Sequence, residues 1–335
     1  MKICICGGGS LGHVCIGVLS SQDGVLVSLL TSRPELWKNN ISVSDINGKR
    51  YEGSISKISD NPADVIPGSD IVFFCMPGFL IKDTLLRVKP YISESTVLGS
   101  IVSSTGFFFF AHDVLGKDAR LFGFQRVPFI ARLVEYGQSA TLLGYKQSLA
   151  VAVENVPVAD SFRLTIEHLF HTQTSLLGSY LEASLTNSNP ILHTGRLFSM
   201  WRDWSGQKYD DCILFYKEWD EESAQLLIDM DDEFMSLLDK LPMNKSVIPT
   251  LLDYYESTDA KCLSNKLRSI KAFQTIQAPM KRVEGGWIPD FSSRYFTEDF
   301  PFGLYFLVNL AKKYNVDTPK LNMVYEWGMS KLNEI

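Results

Sequence analysis

The sequence predicts an α/β protein: a doubly wound, mainly parallel sheet over residues 1–177, followed by an all-α domain over residues 178–335. Three observations lead there. A glycine-rich turn stands between the first strand-like run and the first helix-like run. Strand-like and helix-like runs then alternate to about residue 177, the pattern that builds a parallel sheet with helices on both faces. From Gly178 onward strand-like runs become rare and helical periodicity takes over.

Residues 2–6 form a short β-run, Gly7-Gly8-Gly9-Ser10-Leu11-Gly12 follows at once, and residues 13–19 begin a helix. This is GxGxxG in its proper context, a Rossmann-type dinucleotide turn. Gly7 permits the tight turn, Gly9 lets the backbone approach a pyrophosphate, and Gly12 lets helix and strand pack closely. Ser10 and Leu11 fall in the first helical turn, whose free N–H groups would hold the phosphates.

Asp23-Gly24 is a turn, and residues 25–30 make a second buried strand that ends in Thr31-Ser32-Arg33. A site for NAD usually carries an acid here, about 20 residues after the glycines, to bind the ribose 2'-hydroxyl. Two hydroxyls and Arg33 would instead welcome a 2'-phosphate, so NADP is the expected cofactor, with NAD as the alternative. The other reading of Arg33 is a solvated loop residue.

Residues 71–75 are an unbroken apolar run, as expected of a strand covered on both faces. Met76-Pro77-Gly78 then turns the chain over the expected nicotinamide side, and residues 81–88 read as the next helix. Residues 96–102 are another strand, closed by Ser103-Ser104-Thr105-Gly106. Phe107 to Phe110 read as helix core rather than a ligand box. Residues 121–125, 140–143 and 149–153 read as further strands, and 160–170 as the last helix of the first domain.

In the second half the helical stretches are 179–186, 191–202, 221–238, 247–255, 265–272, 302–313 and 322–332, with Asp220 as N-cap of the third. Trp201, Trp204 and Trp219 read as packing residues. No internal repeat or low-complexity segment is present.

The chain of 335 residues is 45% hydrophobic and 21% charged, enough apolar matter for a full core and two domains. A net charge of −6 with no basic block argues against a nucleic-acid or anionic-membrane surface and for a small-molecule partner. The apolar start breaks into glycines at Gly7, too soon for a signal peptide, and no apolar run reaches membrane-spanning length. Cys4, Cys6, Cys15, Cys75, Cys212 and Cys262 lie scattered in apolar surroundings without zinc spacing, so no metal is expected and the protein reads as cytoplasmic with reduced thiols. A homodimer is a candidate assembly.

Candidate chemistry gathers at two stretches. In Asn189-Pro190-Ile191-Leu192-His193-Thr194-Gly195-Arg196, Asn189 and His193 stand at i and i+4 on one helix face, at the changeover between halves where a cleft could form. The plainer reading of His193 is a packed helix residue. About a hundred residues on, Arg294-Tyr295-Phe296-Thr297-Glu298-Asp299 offers a guanidinium fork for a substrate carboxylate and an acid that would fix an imidazole's tautomer and raise its basicity.

At these residues the sequence resembles the opine dehydrogenases, the octopine/nopaline dehydrogenase family, over nearly its whole length. Gly7-x-Gly9-x-x-Gly12 matches that family's nucleotide motif, and Asn189-Pro190-Ile191-Leu192-His193 is similar to its Asn-x-x-x-His stretch. The most specific match runs from Arg294 through Asp299-Phe300-Pro301-Phe302-Gly303-Leu304, with Pro279-Met280 before it and Thr318-Pro319 after it. The resemblance implies an NAD(P)H-dependent reductive condensation of an amino acid with an α-keto acid by hydride transfer to an imine. It also implies His193 as acid–base catalyst, Asp299 as its partner and Arg294 as carboxylate anchor.

Thr194 stands where the family often has proline. A glutamine is expected near Ser104, so Ser104 is taken as a substrate contact there, as Asn189 is beside His193. Looser relatives, glycerol-3-phosphate dehydrogenase and ketopantoate reductase, rely on a catalytic lysine; Lys146 and Lys208 are the lysines to watch, and both read as surface residues. Two other functions fit the scaffold: an NADP-dependent 2-hydroxyacid or sugar-acid dehydrogenase, and a protein that senses NADP without turnover.

Overall fold

β1 (Lys2–Cys6) runs from one exposed lysine into buried residues and turns directly into α1 (Ser10–Ser20). The computed structural model describes residues 1–333 and divides them into two units, Met1–Ser184 and a second beginning at Leu185. In the first unit β2 (Leu26–Leu30) precedes β3 (Asn40–Asp45), β4 (Arg50–Ser59) and the short helix α2 (Pro62–Val65). Then β5 (Ile71–Phe74), α3 (Gly78–Val88), β6 (Val97–Ser100), α4 (Phe107–Leu115) and β7 (Leu121–Phe124) alternate. A hairpin of β8 (Phe129–Glu135) and β9 (Ser139–Tyr145) leads to β10 (Leu149–Glu154), α5 (Ala159–Phe170), β11 (Thr174–Leu176) and α6 (Tyr180–Leu185).

All eleven strands join one sheet in the order β11-β10-β7-β6-β5-β1-β2-β4-β3-β9-β8. From β7 to β4 every pairing is parallel. The chain builds away from β1 on the β2 side, then crosses back to lay β5 on its other side. That reversal leaves a crevice at the carboxyl ends of β1 and β5, where open α/β sheets bind ligands. Phe73 and Phe74, neighbours on β5, point to opposite faces and are both buried. Phe73 meets Phe122 and Phe170 on one side, and Phe74 meets Phe107 on the other. This two-sided burial is why β5 reads as an unbroken apolar run.

β3, β4, β8 and β11 have no counterpart in the sequence reading. Along β4 buried and exposed residues are mixed with Gly53, Ser54, Ser56 and Lys57, so a half-covered strand looks like polar loop. The sequence reading put the end of the first domain at residue 177; the contacts divide the chain at Ser184, since α6 packs through Tyr180 and Ala183 onto the first unit's core.

The second unit is helical: α7 (Asn189–Trp201), α8 (Glu221–Leu238), α9 (Leu251–Tyr254) and α10 (Ala260–Ser269) come first. Asp220 caps α8 by accepting the Ser223 N–H at 2.6 Å, as its position before Glu221 and Glu222 suggested. α10 starts earlier than residue 265 because Asp259 caps it. Its predicted end breaks at Ile270 into a separate short turn, and only Leu251–Tyr254 of the stretch 247–255 is α-helix. A hairpin, β12 (Met280–Val283) and β13 (Gly286–Pro289), interrupts the helices and was not foreseen. α11 (Arg294–Thr297), a π-helical turn at Phe300–Leu304, α12 (Tyr305–Lys313) and α13 (Pro319–Asn333) complete the unit. No described helix is long and apolar enough to cross a membrane.

Candidate dinucleotide cavity and histidine centre

The crevice of the first unit holds a cavity of about 540 Å³, within the range of small-molecule sites. The three motif glycines divide the labour by their surroundings. Gly7 has φ +117°, and a Cβ on it would strike the Cys75 carbonyl; a Cβ on Gly12 would strike the carbonyl of Gly7. Gly9 faces open space on the cavity side, so its backbone is the part of the turn a ligand can approach. The N–H groups of Ser10, Leu11 and Gly12 begin α1 without intrahelical acceptors.

Gly7, Gly9, Ser10, Thr31, Ser32 and Arg33 line this cavity, and so do Met76 and Pro77. Leu11 and Gly12 do not: Leu11 packs on the core, and Gly12 sits against Gly7. Thr31 is buried, with Oγ1 near the Arg33 N–H at 3.5 Å. Arg33 lies with its guanidinium carbon 4.7 Å from the centre of the Tyr136 ring. Sequence reasoning missed Tyr136, which arrives on the unforeseen β8–β9 turn, and Arg87, on the outer side of α3 with its guanidinium on the Asp60 carbonyl at 2.6 Å. The described lining thus carries two arginines and no carboxylate, an electrostatic fit to phosphate. Ser104 follows β6 in a short 3₁₀ turn, half-buried and outside this lining. Lys146 is exposed, and Lys208 donates to the Glu284 carbonyl at 2.6 Å.

The second unit brings His193 and Asp299 together. Pro190 stands in the first turn of α7 and Gly303 of the π-helical turn presses on it, since a Cβ there would meet the proline ring. Along 296–304 the apolar residues Phe296, Phe300 and Leu304 recur every four positions and are fully buried, and Phe296 stacks on Phe300 at 5.4 Å. This anchoring turns Tyr295 and Asp299, themselves four apart, toward α7. Nδ1 of His193 lies 2.8 Å from Oδ2 of Asp299, and the Tyr295 ring is 4.7 Å from the imidazole. A carboxylate only accepts, so Nδ1 carries the hydrogen and Nε2 is left to exchange protons.

Nε2 faces the hydroxyl of Tyr216 at 3.2 Å, a partner absent from the sequence reading. The Tyr216 ring stacks between Phe273 at 4.3 Å and Trp219 at 5.8 Å. Burial, reinforced by Tyr295, Tyr255 and Asp299, pushes its phenol well above the usual tyrosine value, so it stays neutral. Arg196, one turn after His193 and 3% exposed, fixes this segment through the carbonyls of Phe215 and Glu218, Asp220 and Ser223. Burial lowers the Arg196 pKa, an effect that Asp220 opposes. Arg294 is exposed and makes no ion pair among the described residues. Asn189 opens α7 on the His193 face, with no described hydrogen bond between the two side chains.

Residues 176–332 match a family model described as NAD/NADP octopine/nopaline dehydrogenase, alpha-helical domain. Octopine dehydrogenase of Mizuhopecten yessoensis is 26% identical, the match covering 100% of this chain and 91% of that protein. Opine dehydrogenase of Haliotis discus hannai is 28% identical with the same coverage. Among solved structures, octopine dehydrogenase with NADH and L-arginine superposes with a TM-score of 0.86 at 26% identity, over 99% of this chain and 90% of the other.

Proposed function

The chain belongs to the octopine and opine dehydrogenase family of NAD(P)-dependent oxidoreductases, and from that premise we propose that it joins an amino acid to an α-keto acid by reductive condensation. The amine adds to the keto carbon and water leaves to give an imine. Hydride on the carbon of this imine, protonated as water leaves, then gives a secondary amine carrying both carboxylates. The bound dinucleotide supplies the hydride.

The observation that carries this reading is the His193–Asp299 pair at 2.8 Å. In it His193 moves protons: neutral, it takes one from the incoming ammonium, and as imidazolium it returns one as water leaves. Asp299 fixes the tautomer and favours the charged form. Tyr216 stays protonated and keeps Nε2 hydrogen-bonded before substrate arrives. Arg294 is exposed and without a described ion-pair partner, which suits a fork that waits for the keto-acid carboxylate. Asn189 and Ser104 are further substrate contacts on this reading.

NADP is the preferred cofactor, supported by Arg33 and Ser32 on a lining without carboxylates. All six cysteines are free, which supports a reducing compartment, the cytoplasm. The deciding experiment is a matrix of amino acids against α-keto acids with NADPH or NADH followed by absorbance. Oxidation that requires both partners bears the proposal out. Oxidation by a keto acid alone replaces it with a hydroxyacid dehydrogenase.

A further inference from the structure

His13 lies in the first turn of α1 and is completely buried, at 0% exposure. Backbone engages both ring nitrogens: Nδ1 is 2.9 Å from the Gly9 carbonyl, and the Gly137 N–H points at Nε2 from 2.7 Å. A carbonyl only accepts and an amide N–H only donates. Nδ1 therefore carries the hydrogen and Nε2 offers its lone pair. The imidazolium would set an N–H against an N–H, and the other neutral tautomer would fail at both ends.

One partner lines the cavity and the other is the chain neighbour of a residue that does. Gly9 is the motif glycine that faces open space, and Gly137 adjoins Tyr136, which lines the same cavity with Arg33 over its ring. Gly137 is itself fixed: its φ is +73°, a Cβ would strike the Leu36 carbonyl, and its own carbonyl takes the Lys38 N–H at 3.0 Å. The imidazole also lies on Trp37 at 4.1 Å and meets the Tyr136 ring at 5.3 Å.

We infer that His13 is a positioning residue for the dinucleotide, holding the glycine turn and the Tyr136 turn together only while it is neutral, so that cofactor affinity falls when it is protonated. The inference rests on the cofactor reading above. Tyr136 is the titratable side chain that faces the ring. The charges on the flanking segments are spent elsewhere: Arg33 lies over Tyr136, Lys38 and Glu135 both bond to Gln138, and Glu35 is exposed. Burial already holds the His13 pKa below the ordinary value, opposed by the Gly9 contact. The contact therefore exists above that lowered pKa and is lost as pH falls through it.

The test is equilibrium binding of NADH, whose pyrophosphate does not titrate in this range, beside NADPH, from pH 8.5 down to 5. For the wild type Kd should rise toward acid by at most about tenfold per pH unit, as one proton is involved. His13→Phe keeps a stacking ring but loses both hydrogen bonds; its Kd should be at least about tenfold weaker at pH 8 and lack the histidine's acid limb. His13→Gln, with a donor and an acceptor that do not titrate, should recover part of the affinity and also lose that limb. At saturating cofactor kcat should stay near wild type, so the effect is confined to KM for cofactor. An unchanged acid limb in His13→Phe, or wild-type affinity in it, overturns the proposal. Should that variant fail to fold, nitrogen-15 histidine spectra of the wild-type holoenzyme at pH 8 must show the Nδ1–H tautomer; an Nε2–H tautomer overturns it equally. A wild type that binds neither nucleotide sinks this inference with the cofactor reading, whereas binding without turnover on any substrate pair sinks the reaction alone.

Discussion

The Tyr216 hydroxyl stands 3.2 Å from Nε2 of His193, across the imidazole from the Asp299 carboxylate that holds Nδ1. The nitrogen left to exchange protons with substrate is thus already occupied in the free protein. Tyr216→Phe keeps the ring between Phe273 and Trp219 and removes that one contact. A hydrogen bond to a group that becomes charged is worth about 1.5 to 3 kcal/mol. We expect kcat to fall about ten- to a hundredfold with cofactor affinity unchanged. Wild-type kcat in Tyr216→Phe would show the hydroxyl to be a bystander.

The His193–Asp299 pair predicts strong non-additivity. His193→Ala removes the proton carrier, and Asp299→Asn leaves a side chain of the same shape that no longer fixes the tautomer. Each should cost about 10² to 10⁴ in rate, the usual worth of general acid–base catalysis. Because the two act as one unit, the double variant should be little worse than His193→Ala. Independent, multiplying losses would mean the 2.8 Å contact is structural only.

Arg294→Lys keeps the charge and loses the planar fork. On the carboxylate-anchor reading KM for the keto acid rises and kcat falls while NADPH affinity holds. Unchanged keto-acid kinetics would leave the exposed Arg294 without a substrate role.

Legibility followed the periodicity of the side chains. β1, β5 and the glycine turn were readable because two-sided burial makes an unbroken apolar run and because Gly7 and Gly12 each leave no room for a Cβ while Gly9 lies open to the cavity. β4, rich in polar residues, and β8, whose apolar Ile130 and Val134 are exposed so that no inward face shows in the pattern, were not, and with β8 went Tyr136 and the whole His13 contact. His193, Asn189 and the 294–304 stretch were legible as motifs. Tyr216 was not, since nothing local ties it to His193: the link is made by Arg196, which reaches the 215–223 segment from α7.

Arg33→Ala tests the cofactor preference. Losing one charge-assisted phosphate contact costs about 1.5 to 3 kcal/mol, or one to two decades of affinity, and should fall on NADPH far more than on NADH. Arg33 also packs over Tyr136, so a smaller loss common to both nucleotides is expected. Equal weakening of the two, or a wild type that prefers NADH, would remove the 2'-phosphate contact.

The last prediction concerns stability. Asp231 on α8 is 5% exposed and accepts the Leu251 N–H at 2.7 Å. Burial, with Asp232 and Asp253 nearby, raises its pKa to about 6 against the pull of that N–H. In the unfolded chain an aspartate titrates near 3.9. Below that value both states are protonated and Asp231 is neutral toward folding. Between about 4 and 6 the folded state holds the extra proton, so stability declines as pH rises, and above about 6 the full cost of a buried charge is present. The two values imply a penalty on the order of 2 to 3 kcal/mol at pH 8. Asp231→Asn retains an oxygen for the Leu251 N–H and carries no charge. Its melting temperature should therefore exceed the wild type's at pH 8 and converge on it near pH 4. A variant less stable at pH 8, or one shifted equally at both pH values, would show that the ionised carboxylate is stabilised where it stands and that its hydrogen bond outweighs its burial.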